Sequence, residues 1–227
     1  MALSIGSLMQ YTSQVGIEAL ATVYPEMLED ACYSIFNSFK NVAAVSVSKP
    51  VCTRAIVYGT GFEMRFFSRG STGEAYVSIT SFSEAPNRLR DAVQSAMRVF
   101  DVVKRVLRGF VVEWREVRVH IKSVTSVSQR KLGDIVRVLQ EHFGVVTQTS
   151  ELRDINESTI YIVSGVLVRR ELRSYSVRMI AVVRRSPMAT VSISIEGKCG
   201  VDEVEDELSR MCGLTRALMD SIALVCE

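Results

Sequence analysis

Residues 75–80 read Ala-Tyr-Val-Ser-Ile-Thr, and residues 189–194 read Ala-Thr-Val-Ser-Ile-Ser. In both stretches apolar side chains alternate with polar ones, which is the pattern of a β-strand that buries one face. The two stretches lie 114 residues apart, close to half of the 227-residue chain. The sequence therefore predicts one structural unit written twice.

A long amphipathic helix is predicted after each of these strands, because apolar residues recur every three or four positions. Its buried positions are Leu89, Val93, Met97, Phe100, Val103 and Leu107 in the first copy, and Val204, Leu208, Met211, Leu214, Leu218 and Ile222 in the second. We predict two related repeats, residues 1–109 and 110–227, that form a pseudo-twofold molecule. Such a chain is either a monomer that acts as an intramolecular pseudo-dimer or a homodimer.

The remaining segments complete an α+β protein with antiparallel sheets and helices packed on one face. Apolar spacing predicts a helix over residues 16–39, broken or kinked at Pro25, and a second helix over residues 128–143. Predicted strands cover residues 42–47, 53–58, 62–68, 117–121, 160–168 and 175–183.

Composition points to a protein of the cytoplasm that does not enter a membrane. No apolar run approaches the roughly 18 residues that a membrane span needs, and the first ten residues carry no basic segment typical of a secretion signal. Five cysteines, an odd number without a CxxC pair, indicate reduced thiols. A net charge of +2 indicates that any basic surface is local.

No catalytic or metal-binding motif is visible. The two histidines, His120 and His142, fit an exposed strand face and the last turn of a helix, where a cationic ring suits the helix dipole. The glycines of residues 59–61 and 69–73 fit hairpin turns better than a phosphate loop. The acidic run at residues 202–207 fits a helix N-terminus better than a metal site. We therefore predict no catalytic residue, no metal, no cofactor and no enzyme activity.

Arginines supply the candidate interaction sites. Arg90, Arg98, Arg105 and Arg108 share the outer face of the first long helix, which is either a solvated face or a surface that docks a partner helix or RNA. A second set could bind phosphates as a group, or form an ordinary polar rim. Its members are Arg118, Lys122, Arg169, Arg170, Arg173, Arg184 and Arg185.

Residues 74–98 resemble the strand-then-helix ending of the small Pcc subunit of KEOPS, in a family that includes the CTAG cancer/testis antigens. Leu89, Arg90, Ala92, Val93 and Ser95 fall on that family's pattern, and Gln94 replaces its usual asparagine. The resemblance implies a non-catalytic subunit that dimerises through its sheet. Its helix would hold an ATP-binding, kinase-like catalytic subunit in a complex that installs threonylcarbamoyl-adenosine on tRNA.

Three functions follow for testing. The leading one is a scaffold or dimerisation subunit of such a tRNA-modifying complex, whose helix binds a protein partner through Leu89, Arg90, Val93, Met97, Arg98 and Arg105, with tRNA as a further partner. The second is a stand-alone nucleic-acid-binding module that uses a duplicated sheet as a saddle. The third is a small-molecule-binding protein or enzyme.

Overall fold

The structure is a computed structural model that describes residues 10–39, 43–48, 52–57, 59–69, 72–141, 148–153, 159–168, 174–183 and 187–226. Within these residues the same succession of elements, one strand, a helix, four strands and a helix, occurs twice. The first succession is β1 Tyr11–Val23, α1 Leu28–Phe39, β2 Ala43–Ser48, β3 Cys52–Val57, β4 Thr60–Arg69, β5 Thr72–Ser83 and α2 Leu89–Leu107. The second is β6 Val111–Ser128, α3 Leu132–Glu141, β7 Gln148–Arg153, β8 Thr159–Val168, β9 Ser174–Val183, β10 Met188–Cys199 and α4 Val204–Cys226.

The described strands form one ten-stranded sheet in the order β2-β3-β4-β5-β1-β6-β10-β9-β8-β7. Every neighbouring pair is antiparallel. Counted from either edge, corresponding strands of the two halves take the same places: β2 and β7 are the edge strands, and β1 and β6 lie side by side at the centre. The predicted boundary at residue 109 falls between α2 and β6. Because β1 of the first half pairs with β6 of the second, the two halves share one sheet. Their origin by duplication stays a prediction.

The four helices of the described residues pack on one face of this sheet, as the predicted α+β class requires. α2 contacts β5 and β1, α4 contacts β6 and β10, and the two helices contact each other. Strand residues alternate accordingly: Ala75, Val77 and Ile79 are buried, while Tyr76 and Ser78 are only partly so. The hydrophobic core is therefore a layer between the sheet and the helices.

The predicted helix over residues 16–39 is wrong in its first half, which belongs to β1. The buried residues of this strand follow a period of two, and Ile17, Ala19 and Ala21 all face the helices. Leu20, half-exposed on the opposite face, created the false helical spacing. A short 3-10 turn at Pro25–Met27 separates β1 from α1, so the break that Pro25 predicted is present.

Other boundaries also differ from those predicted. β6 continues to Ser128, and a 3-10 turn at Gln129–Lys131 precedes α3, so that helix begins later than predicted. β7 had no counterpart among the predicted strands. Gly59 has a φ of 76°, which agrees with the predicted glycine turn. No helix within the described ranges combines the length and the apolar character needed to cross a bilayer.

Candidate ligand-binding site

The sheet face opposite the helices, here called the open face, carries the candidate site. Within the described ranges no helix packs on it, and its side chains are half-buried or exposed. Along the central strand β1, every second residue from Thr12 to Leu20 lies on this face. β5 and β6 flank β1 on either side. We call the strip above β1, between the side chains of β5 and β6, the trough.

The first part of the trough is a groove of about 380 Å³, which we name the Phe82 groove. Its lining residues are Thr12, Ser13, Gln14, Phe82, Ser83, Glu84, Lys122 and Val124. Phe82 is 64% exposed, an unusual state for a phenylalanine. Lys122 is exposed and has no ion-pair partner among the described residues. An aromatic ring, an ammonium group and hydrogen-bonding side chains thus converge here.

A second groove of about 260 Å³ lies farther along β1, and we name it the Tyr76 groove. It is lined by Glu18, Ala19, Leu20, Tyr76, Glu116 and Arg118. Burial raises the pKa of the Tyr76 phenol, and the nearby Glu18 carboxylate, to which Tyr76 is hydrogen-bonded, raises that pKa further. The phenol therefore stays protonated at neutral pH and serves as a hydrogen-bond donor.

The charges around the Tyr76 groove are paired with one another. Arg118 is hydrogen-bonded to Glu116 and lies 3.8 Å from Glu196. The Lys198 ammonium lies 3.0 Å from Glu116. Hydrogen bonds from Arg118 and Lys198 lower the pKa of the Glu116 carboxyl. These four charges cancel, and Glu18, which also lines the groove, leaves this part of the open face with one net negative charge.

His120 separates the two grooves. β1 and β6 pair so that Gln14 lies opposite Lys122, Gly16 opposite His120 and Glu18 opposite Arg118. The His120 ring lies over Gly16, since a Cβ at that position would stand only 2.0 Å from its Cε1 atom and 2.2 Å from its Nε2 atom. Burial lowers the pKa of the imidazole, which is therefore neutral at pH 7. His120 was predicted on an exposed strand face, and the structure half-buries it instead.

Two residues of the predicted nucleic-acid set, Arg118 and Lys122, lie on the open face beside β1. Lys122 lines the Phe82 groove, and Arg118 lines the Tyr76 groove within the ion pairs described above. The other five, Arg169, Arg170, Arg173, Arg184 and Arg185, lie outside the described residues. His142 lies outside them as well.

The predicted partner-binding residues of α2 divide into two groups. Leu89 and Val93 are buried in the chain's own core, and Met97 packs against that core. Buried side chains cannot form a docking surface, so Leu89 and Val93 are corrected, while Met97 is only partly buried. Arg90, Arg98 and Arg105 are exposed on the outer face of α2, where the sequence placed them.

Sequence reasoning missed most of the residues that shape the trough, among them Gln14, Gly16, Phe82 and Tyr76. Gln14 and Gly16 were overlooked because their strand was assigned to a helix. Phe82 and Tyr76 both lie on β5, a strand that was predicted without any expectation that its outward side chains face a ligand groove. The signal in the sequence was Phe82 itself, a large apolar residue at an outward position of this alternating strand.

The described residues thus form an α+β fold in which helices cover one face of the sheet and leave the other face open. No family model matches the chain, and no curated protein matches it. Among solved structures it is similar to DynU16, a protein in the dynemicin biosynthetic locus, with 9% identity and a TM-score of 0.30, covering 93% of this chain and 99% of that one. It is also similar to the di-domain ARO/CYC BexL from the BE-7585A biosynthetic pathway, with 7% identity and a TM-score of 0.28, covering 94% and 98%.

These comparisons correct two predictions. The predicted scaffold function is corrected: both similar structures come from biosynthetic loci or pathways. The prediction that the chain is not an enzyme is contradicted by the same matches. With TM-scores of this size, the two structures assign no ligand or reaction to this chain.

Proposed function

We propose that the chain binds a small planar organic anion in the trough on its open face. The observation that supports this most is the composition of the Phe82 groove, where an exposed aromatic ring and an ammonium group without an ion-pair partner among the described residues line one groove of about 380 Å³. Ligand sites typically have volumes of roughly 300–1,000 Å³ and combine apolar surface with a few polar groups.

Each lining residue suggests a part of the ligand. Phe82 and Val124 offer apolar surface to a planar ring. Lys122 offers three N–H donors to a carboxylate or similar anion, and Gln14 can donate or accept a hydrogen bond. Glu84 also lines the groove and is exposed, as Lys122 is, so solvent and salt screen both its repulsion of an anion and the attraction that Lys122 supplies. A ring that carries one acidic group fits this arrangement.

The proposal is tested by titrating the protein with 2-naphthoate and following the ligand by NMR. The Lys122→Gln variant is expected to bind about three- to fivefold more weakly, because an ion pair with an exposed ammonium contributes up to about 1 kcal/mol. Phe82→Ala is expected to weaken binding several-fold through lost ring contact. Arg178→Gln is the matched control, since it removes one positive charge from the same face outside both grooves.

Equal losses in Lys122→Gln and Arg178→Gln would mean that only the overall charge of the open face matters, and the groove would not be the site. Absence of measurable 2-naphthoate binding by the unaltered chain would contradict the proposal itself. Far-UV circular dichroism of each variant shows whether the fold is retained.

A nucleic-acid saddle is the second candidate, favoured by the width of the open face across ten strands. Three of the basic residues on that face, Arg65, Arg115 and Arg118, are each paired with a glutamate, whereas Lys122 and Arg178 have no ion-pair partner among the described residues. A polyanion would have to compete with those carboxylates. Binding of a labelled DNA duplex that weakens steeply with salt would support this candidate in place of the small anion.

The cytoplasm stays the predicted compartment.

A further inference from the structure

We propose that His120 is a ligand contact at the centre of the trough, and that its protonation strengthens the binding of anions there. This inference rests on the proposed function, because it assumes that the trough holds a ligand. It adds a specific residue and a response to pH.

Gly16 leaves the space that the imidazole of His120 occupies. If residue 16 had a Cβ, that atom would stand 2.0–2.8 Å from three ring atoms of His120, namely Cε1, Nε2 and Nδ1. The ring of His120 therefore lies across β1 and does not stand upright on β6. Consecutive open-face residues of a strand are spaced by roughly 6.6–6.8 Å. The ring therefore forms the floor of the trough about one such step from Gln14 and one from Glu18. A ligand in the Phe82 groove that extends along β1 meets His120 next.

The ring has hydrogen-bonding capacity to offer. Among the described residues neither imidazole nitrogen has a hydrogen-bond partner. The ring is half-buried, and a half-buried polar group without a partner is costly unless water or a ligand satisfies it. A neutral imidazole both donates and accepts a hydrogen bond.

Charged groups face the ring from three strands. Glu18 on β1 and Glu196 on β10 favour the imidazolium, and Lys122 on β6 opposes it. Arg118, also on β6, is engaged by Glu116 and Glu196. The β5 residue in the same row is the uncharged Thr80. Burial is the largest effect and lowers the pKa of the imidazole, so the proton is taken up only as the solution becomes acidic.

The sign of the pH effect follows from charge. A bound anion favours the imidazolium and raises the pKa of His120, so proton uptake and anion binding strengthen each other. An anion of a simple aromatic acid stays ionised above a pH of about 5. At a separation of roughly 7 Å and with the dielectric constant of water, one added positive charge strengthens the binding of an anion about threefold. Binding should therefore tighten between pH 8 and pH 5.

The experiment compares 2-naphthoate with the uncharged 2-naphthamide at pH 8 and pH 5. The unaltered chain is expected to bind 2-naphthoate about threefold more tightly at pH 5, and 2-naphthamide equally at both. His120→Gln keeps hydrogen-bonding capacity but cannot titrate, so the pH effect should be lost. His142→Gln removes the chain's other histidine and should retain the effect.

The outcomes separate the two proposals. If the unaltered chain binds 2-naphthoate at neither pH, the proposed function fails. If it binds, but the pH effect persists in His120→Gln or occurs equally with 2-naphthamide, the role of His120 is overturned and the trough stands. His120→Asn repeats the measurement if the glutamine variant does not fold.

Discussion

Replacing Phe100 with alanine is expected to lower the free energy of unfolding by about 4 kcal/mol, as truncation of a fully buried phenylalanine typically does. Phe100 lies on α2 and is only 1% exposed. Its ring packs edge-on against Trp114 of β6, with 6.1 Å between the ring centroids. The substitution removes apolar burial and leaves a cavity between the helix layer and the sheet.

Urea unfolding measures this change with two signals. Trp114 is the only tryptophan of the sequence, so its fluorescence reports on the start of β6, while far-UV circular dichroism reports on the whole chain. Asp101→Ala is the control on the same helix, and it should change the free energy by less than about 0.5 kcal/mol, because Asp101 is exposed.

The same experiment tests whether the two halves unfold together. Phe100 belongs to the first half and Trp114 to the second, and β1 pairs with β6 along the length of β1. Both signals should therefore move to lower urea in a single transition. Two separate transitions, with only one shifted by Phe100→Ala, would show that residues 1–109 and 110–227 are independent folding units.

The sheet and the long helices could be predicted from local pattern, because burial on one face leaves a clear period. β5 and β10 alternate cleanly, and α2 and α4 place apolar residues along one side. β1 could not be predicted in this way. Its buried side chains include the small Ala19 and Ala21, and its open face carries the apolar Leu20, so a period of two was masked.

The trough could not be predicted even where its strands were. It depends on the register between β1 and β6, which brings Gly16 beside His120 although they are 104 residues apart in the sequence. Nothing local to His120 indicates that a glycine on another strand will leave room for its ring. The same register places Lys122 beside Gln14, away from the ion pairs that neutralise Arg118.

The pairing of Gly16 with His120 leads to the second large effect. In Gly16→Ala the new methyl group would occupy the place of the imidazole, since its Cβ would stand 2.0 Å from Cε1. The backbone of β1 is held by pairing on both sides, so the ring is the part that moves. It must rise from β1 into the trough, between the Phe82 groove and the Tyr76 groove. We expect 2-naphthoate to bind at least about tenfold more weakly to this variant at pH 8, as when a ligand contact worth roughly 1.4 kcal/mol is lost.

The double variant Gly16→Ala/His120→Ala isolates the cause. With the imidazole gone, the new methyl group has room, and affinity at pH 8 should return to that of His120→Ala alone. The measurement is a double-mutant cycle of 2-naphthoate affinities, in which the coupling between positions 16 and 120 should account for nearly all of the loss. Additive effects of the two substitutions would show that the ring does not enter the trough. In that case Gly16 would be needed for the structure of the sheet and not for ligand binding, because the new methyl group can affect the Phe82 groove only by displacing the ring of His120.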